Sequence, residues 1–328
     1  MGQRSWTTGF MVGAVSVSAG LTTLGLGSAP ISHATCASFF GIGNSANCTS
    51  NLTSIAIAIG PDAIAKADGK LAVAVAVGDS AVALTDTGAF LAAVVFGKSS
   101  LAISSGGNFN SATALGNRSY ATALNGSANL AFATSFGDAQ SDHAIAGTDT
   151  GSFNVAVALG GGNGDPVLAL IEDGSANFAA AAGTNAVGSE AKGGNFNRVI
   201  ALGTTSSATT FSGSNNQSIA IGASSTADVT DGDGNQATAI GLDTTTAVAS
   251  YGDGNHATAI GDQSFAGAGD PDKEVLSNNN RAFVFGRNSR VLVGPGDNNR
   301  LRIIGDNARG TSPAPTPPAR TAGRISRH

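Results

Sequence analysis

The residues best suited to chemistry in this chain are the aspartates of two glycine-rich turns, TDGDGN at 230–235 and YGDGN at 251–255. Carboxylates held between glycines can converge with backbone oxygens on a calcium ion. A repeated calcium-binding turn also carries an Asp-x-apolar element after it. Neither copy here does, so Asp231, Asp233 and Asp253 read as turn formers. The histidines, His33, His143, His256 and His328, have no metal-ligand spacing, and the glutamates, Glu172, Glu190 and Glu274, lie far apart in sequence. No acid and base therefore stand together as hydrolysis would require. No serine sits in a G-x-S-x-G turn, and GGGNGD at 160–165 follows a strand pattern without opening a helix, so it is a turn and not a phosphate loop. These residues give no catalytic or cofactor-binding set.

What such side chains can do depends on the elements that carry them. The decapeptide GDGNQATAIG at 232–241 returns as GDGNHATAIG at 252–261. Anchoring on its closing glycine extends the pattern to Gly60, Gly78, Gly97, Gly116, Gly137, Gly160, Gly183, Gly203, Gly222, Gly241, Gly261, Gly286 and Gly305, with a degenerate FFGIG ending at Gly43 ahead of them. Eight of the twelve spacings are 18 to 20 residues, and the four longer ones carry their extra letters in Gly, Asn, Asp and Pro, the residues of turns. A fixed period of this length is the signature of stacked repeats.

Two columns alternate ahead of the anchor. Next to it stands a large apolar residue in twelve of thirteen copies; one position earlier the row is small, with nine alanines from Ala58 to Ala259. Alternation with period two puts the rows on opposite faces of a strand. Hydrophobicity predicts that the large row, Ile59, Leu115, Leu159, Leu202, Ile221, Ile240, Ile260 and Ile304 among it, is the core row, leaving the alanines to look outward. Six residues before the anchor, nine copies have asparagine: Asn110, Asn154, Asn177, Asn197, Asn216, Asn235, Asn255, Asn280 and Asn299. On parallel rungs about 4.8 Å apart each amide can bond the next, forming a structural ladder. The predicted fold class is all-β: a parallel β-solenoid (β-roll) of about 13–14 coils, about 19–20 residues per coil and roughly 65 Å long.

Three segments follow. Residues 1–34 read as a signal peptide, with Arg4, the apolar run FMVGAVSVSAGLTTLGLG and a small-x-small cleavage site at Ser32-His33-Ala34. The mature chain then starts at Thr35, with no transmembrane segment after cleavage. Residues 35–308 form the repeat domain, whose N-terminal cap contains Cys36 and Cys48; in an exported chain such an even pair is read as a disulfide. Residues 309–328, RGTSPAPTPPARTAGRISRH, have too many prolines and too few apolar residues to fold and read as a disordered tail. The 35–280 region has 7 basic and 20 acidic residues, so a nucleic-acid partner is excluded, while nine arginines follow from 281 onward; the tail itself reads either as a holder for an anionic wall polymer or lipid headgroup or as a solubilising segment with no partner.

The unit N-x-x-A-I-G-x-x-A-x-A, as in NNQSIAIGASSTADV at 215–229, resembles the head repeats of trimeric autotransporter adhesins of the YadA type. That resemblance covers roughly residues 41 to 305 and implies a left-handed β-roll, adhesion and a trimer. Two departures are the longer repeat and the missing C-terminal β-barrel anchor of that family. The signal peptide with an Ala/Gly-rich array also resembles exported proteins of mycobacteria and related actinobacteria. The resulting expectation is a secreted or cell-surface, non-enzymatic, adhesin-like scaffold, a homo-oligomer whose partner is a cell-wall or host-surface polymer, with no cofactor. The alternatives are a calcium-binding β-roll and a polysaccharide-acting β-solenoid enzyme.

Overall fold

A computed structural model of the chain describes residues 35–311 and 322–324, except 138–141, 161–165, 185–186, 262, 270–276, 287, 306 and 308. The signal segment 1–34 lies outside the described residues, all of which belong to one unit, His33–His328. Its described residues are all-β, with no helix among them, and wind as a parallel β-solenoid of about twelve turns of ~19 residues. From Cys48–Ser50 to His256–Ala259 successive strands alternate between an 11-stranded and a 16-stranded sheet, and each pairs in parallel with the strand of its sheet in a neighbouring coil. The alternation of apolar residues sets the register: Ala112, Ala131, Ala156 and Ala179 stack without a slip over four coils. At rungs of about 4.8 Å the rod is roughly 55–60 Å long.

Which row faces inward is the main correction to the sequence reading. Burial alternates so that the alanines are inside: Ala58, Ala76, Ala114, Ala158, Ala201, Ala220 and Ala239 are all at 0% exposure. The predicted core row looks out instead, with Ile59, Leu202, Ile221 and Ile304 exposed and Leu115, Leu159, Ile240 and Ile260 half-buried. The reason is steric. Short strands closed by a glycine corner make a narrow coil, and at most inward positions a methyl group fills the space between its two sheets, where a larger side chain would overpack. Larger residues enter at a minority of positions, as Val95 does between Ala76 and Ala114, and Leu91, Ile171 and Ile303 are buried in the same way.

A second correction concerns the corner. Ser135, not Gly137, is in register with Gly116 and Gly160, so the extra residues of that coil follow the corner and do not precede it. The count of 13–14 coils shrinks for a related reason. Toward the C-terminus the smaller sheet ends at Thr245–Ala247 and continues only as isolated bridges through Phe265, Arg290 and Arg309.

The N-terminal end is closed by a strand that runs the other way. Thr35–Phe39 pairs antiparallel with Ile55–Ile59, which covers the edge of the larger sheet. Cys36 and Cys48 form the expected disulfide, buried, with Cα atoms 5.6 Å apart. At the other end, most of the segment expected to be a disordered tail, residues 312–321 and 325–328, lies outside the described residues, and Ala322–Arg324 within it pair in parallel with Arg300–Arg302. No helix among the described residues is long and apolar enough to cross a membrane.

Candidate functional site

The asparagine column forms a ladder, though with different bonds from those expected. The backbone N–H of each asparagine donates to Oδ1 of the asparagine one coil earlier: Asn129 to Asn110 at 3.0 Å, Asn216 to Asn197 at 2.9 Å, Asn299 to Asn280 at 2.9 Å. Each Nδ2 donates to a turn carbonyl of the next coil, as Asn216 does to Gly232 at 2.8 Å and Asn235 to Gly252 at 2.7 Å. The amides thus satisfy buried backbone groups rather than one another. Asn129 belongs to this ladder and was missed because the anchor at Gly137 was misplaced. In the first coil the column holds Ser54, whose Oγ likewise receives the N–H of Ala72, the residue of that column one coil on, at 3.1 Å, and Leu91 follows in the third coil.

Two further ladders absorb the residues that looked chemical. In the turn ahead of the asparagines, a side-chain oxygen accepts the backbone N–H one coil earlier. Asp233 takes the Ser214 N–H at 2.6 Å, Asp253 takes that of Asp233 at 2.8 Å, and Asn278 takes that of Asp253 at 2.8 Å. Ser152 and Asn195 serve in the same way elsewhere. Asp233 and Asp253 are therefore two members of a column that serine and asparagine fill equally well. A third ladder starts the smaller sheet, where Ser100 Oγ donates to the Gly116 carbonyl at 2.7 Å and Ser289 Oγ to that of Gly305 at 2.6 Å. Its signal was legible: a hydroxyl three residues after the anchor at Ser100, Ser119, Ser206, Ser225, Ser264 and Ser289.

The winding does bring two distant carboxylates together. Glu172 and Glu190 lie one coil apart with Lys192 between them, its Nζ 3.3 Å from Glu172 and 2.9 Å from Glu190. Hydrogen bonds to Glu190 and then Glu172 raise the Lys192 pKa. A carboxylate pair shared with an exposed ammonium is an ion network, not an acid and base with separated roles. Asp228, on the outer face of the smaller sheet, is pushed up to about 6 by burial, against a weaker lowering by the Thr230 hydroxyl. The residue in register with it one coil earlier is Thr209, which is not a carboxylate. His256 is lowered by burial and then by Arg281, and His143 stacks on Tyr120 with centroids 5.7 Å apart. His33, His328 and Glu274 lie outside the described residues. Among the described residues, no group of three or more His, Cys, Asp and Glu side chains could hold a metal.

The feature that the sequence reading turned inside out is the outer face of the 16-stranded sheet. Rows such as Ile57, Val75 and Val94, with Phe132, Val157, Ile200 and Ile219 further along, run up it in register. From Ile55–Ile59 to Gln217–Ile221 this is a wall of about 40 by 13 Å, roughly 500 Å², mostly apolar and interrupted by Ser111, Thr113, Thr134, Arg198 and Gln217. Along its edge the turns present Phe90, Phe109, Phe153 and Phe196, each exposed and each held at a positive φ of 57 to 61°. Phe90 and Phe109 stack at 4.7 Å, one coil apart. A bulky residue at positive φ is uncommon and costs of order 1 kcal/mol, so this aromatic edge is not a device for stabilising the isolated coil.

The chain matches no family model, no curated protein and no solved structure.

Proposed function

We propose that the protein is an exported, non-enzymatic scaffold of the cell surface or its surroundings, which assembles with further copies of itself through the outer face of the larger sheet. The observation that carries this reading is the inversion of its side chains. Large apolar residues are spent on the outside while alanine fills the core, and the resulting wall reaches the few hundred Å² that a monomer leaves bare. Burial of that wall between copies would recover at about 25 cal/mol per Å² what an alanine core does not provide. A buried disulfide supports an oxidising compartment, and hence export. The resemblance of the repeat to adhesin heads argues for three copies and an adhesin-like role, with the turns and loops left free to meet a wall or host polymer.

Sedimentation equilibrium tests the assembly. The expected mass is a multiple of the chain's, and Ile200→Glu with Ile219→Glu, both on the wall and neither in the core, should release monomers that keep their strand signal. A monomer at micromolar concentration in the unsubstituted chain would overturn the reading. Export is tested separately, by fractionation and N-terminal sequencing.

A further inference from the structure

The last coils differ from the rest in charge, and the winding turns that difference into a pattern. On the outer face of the larger sheet Arg281 is in register with Arg300, and Arg302 stands two residues further along the same strand. On the other side of the coil, Arg290 and Arg309 are bridge partners in the column that begins with Thr246 and Phe265. All five are exposed. Like charges one rung apart repel, yet none of the five is in an ion pair among the described residues, whose salt bridges all involve Lys98 or Lys192. Asp297, the described carboxylate nearest in sequence, is engaged by Asn278 through its N–H at 2.7 Å and its Nδ2 at 3.2 Å. The field reaches His256, one coil earlier in the Arg281 column, whose pKa is lowered by burial first and by Arg281 second.

The arginines are also positioned. Arg302 lies over the Phe283 ring at 5.2 Å and Arg290 over the Phe265 ring at 5.7 Å, each aromatic one coil toward the N-terminus. A cation over an aromatic face gains modestly and loses freedom. The same device thus sits on both sides of the coil at the same end of the rod. A linear polyanion lying along one face would meet only one of the two rows, whereas a flat surface meeting the end of the rod reaches both.

We propose that the C-terminal end of the solenoid is a seat for an anionic lipid surface, with the rod standing on it and the disulfide-closed N-terminal cap pointing away. The proposal deepens the surface-scaffold reading and rests on it for its biological setting, but the seat itself is a property of the five arginines.

The test is co-sedimentation of the full chain with vesicles of phosphatidylglycerol and phosphatidylcholine in equal parts, against vesicles of phosphatidylcholine alone. Any contribution of the apolar segment 1–34 is present in both arms, so the difference isolates charge. Binding to the anionic vesicles should be at least tenfold tighter and should fall as salt shortens the screening length. Each Arg→Gln substitution should weaken it about fivefold, the equivalent of about 1 kcal/mol per arginine near the surface. Arg281→Gln with Arg300→Gln should therefore lose as much as Arg290→Gln with Arg309→Gln, while the matching Arg→Lys variants retain binding, which separates charge from damage to the coil. Hydrogen exchange on the bound protein should slow at residues 281–309 and not at 55–77. Equal binding to both vesicles would overturn the proposal, as would loss from one pair alone, protection at the N-terminal coils, or tight binding of soluble dextran sulfate by a chain that ignores vesicles. A chain that binds anionic vesicles yet sediments as a monomer would overturn the assembly reading and leave the seat standing.

Discussion

Replacing Gly97 by alanine should cost more than any other change of a single methyl group described here. Gly97 closes its coil at φ +150°, and a Cβ built on it would lie 1.8 Å from the Gly116 carbonyl oxygen and 2.5 Å from its carbon. Both are backbone atoms, so no rotamer relieves the contact. Forcing an alanine into that region of φ costs about 1–3 kcal/mol. Restoring van der Waals distance would push the two coils apart by more than an ångström. That strains the rungs between Ala92–Phe96 and Ser111–Gly116, where Phe96 is in register with Leu115, at about 1 kcal/mol per bond. A total of about 3–5 kcal/mol follows. Gly188 is the control, because nothing lies within 4 Å of its would-be Cβ and its φ is ordinary. Gly188→Ala should be neutral or stabilise by about 0.5–1 kcal/mol through a less flexible unfolded chain. Urea unfolding followed by circular dichroism reads both, with hydrogen exchange across Ala92–Phe96 and Ser111–Gly116 reporting the opened rungs. If Gly97→Ala unfolds together with Gly188→Ala, the stacked corners do not set the spacing of the coils and the steric account of the narrow core fails with them.

Three other outcomes are expected. Ala158→Leu should destabilise by about 3 kcal/mol through overpacking, while Leu159→Ala, its neighbour on the outer face, should cost under about 1.5 kcal/mol in the monomer; comparable losses in thermal unfolding would contradict the assignment of faces. Asn216→Ala leaves the Asn235 N–H and the Ser212 and Gly232 carbonyls without the amide and should cost about 2–4 kcal/mol in urea, with Asn216→Ser recovering part of it as Ser54 does in its own column. Asp228 keeps its proton in the folded state up to about pH 6, above its unfolded range near 4, so its contribution is full below about pH 4 and is lost as pH rises through 6. Asp228→Asn should remove that decline and raise stability at pH 7 by about 1–3 kcal/mol, the upper end discounted because the group is partly solvated; parallel stability–pH curves for the two proteins would refute this.

The period, the strands and the corners were legible because each is a local demand repeated in every coil: a glycine where φ is positive and two backbones touch, an asparagine where a turn needs an acceptor and two donors. The face of the strand was not. Alternation of Ala58 and Ile59 is compatible with either row inside, and hydrophobicity alone ranks isoleucine as the core residue. What decides is the distance between the two sheets, which depends on coil width and belongs to no single position. Asn129 was hidden by the insertion after Ser135, and the pairing of Arg281 with Arg300 by their separation of 19 positions. The carboxylates were read as isolated because sequence separation conceals neighbours one coil apart, as with Glu172 and Glu190.

Each coil touches only the coil before and the coil after it, and the decapeptides at 232–241 and 252–261 are in register one above the other. Removing or duplicating one whole period, such as residues 232–251, at the genetic level would leave every remaining strand facing a neighbour of the same shape. The molecule's length is therefore a quantity that can be inherited in steps of one coil, about 4.8 Å at a time, without renegotiating its fold. Selection acting on how far the two unlike ends must stand apart would have a ruler already marked in equal divisions.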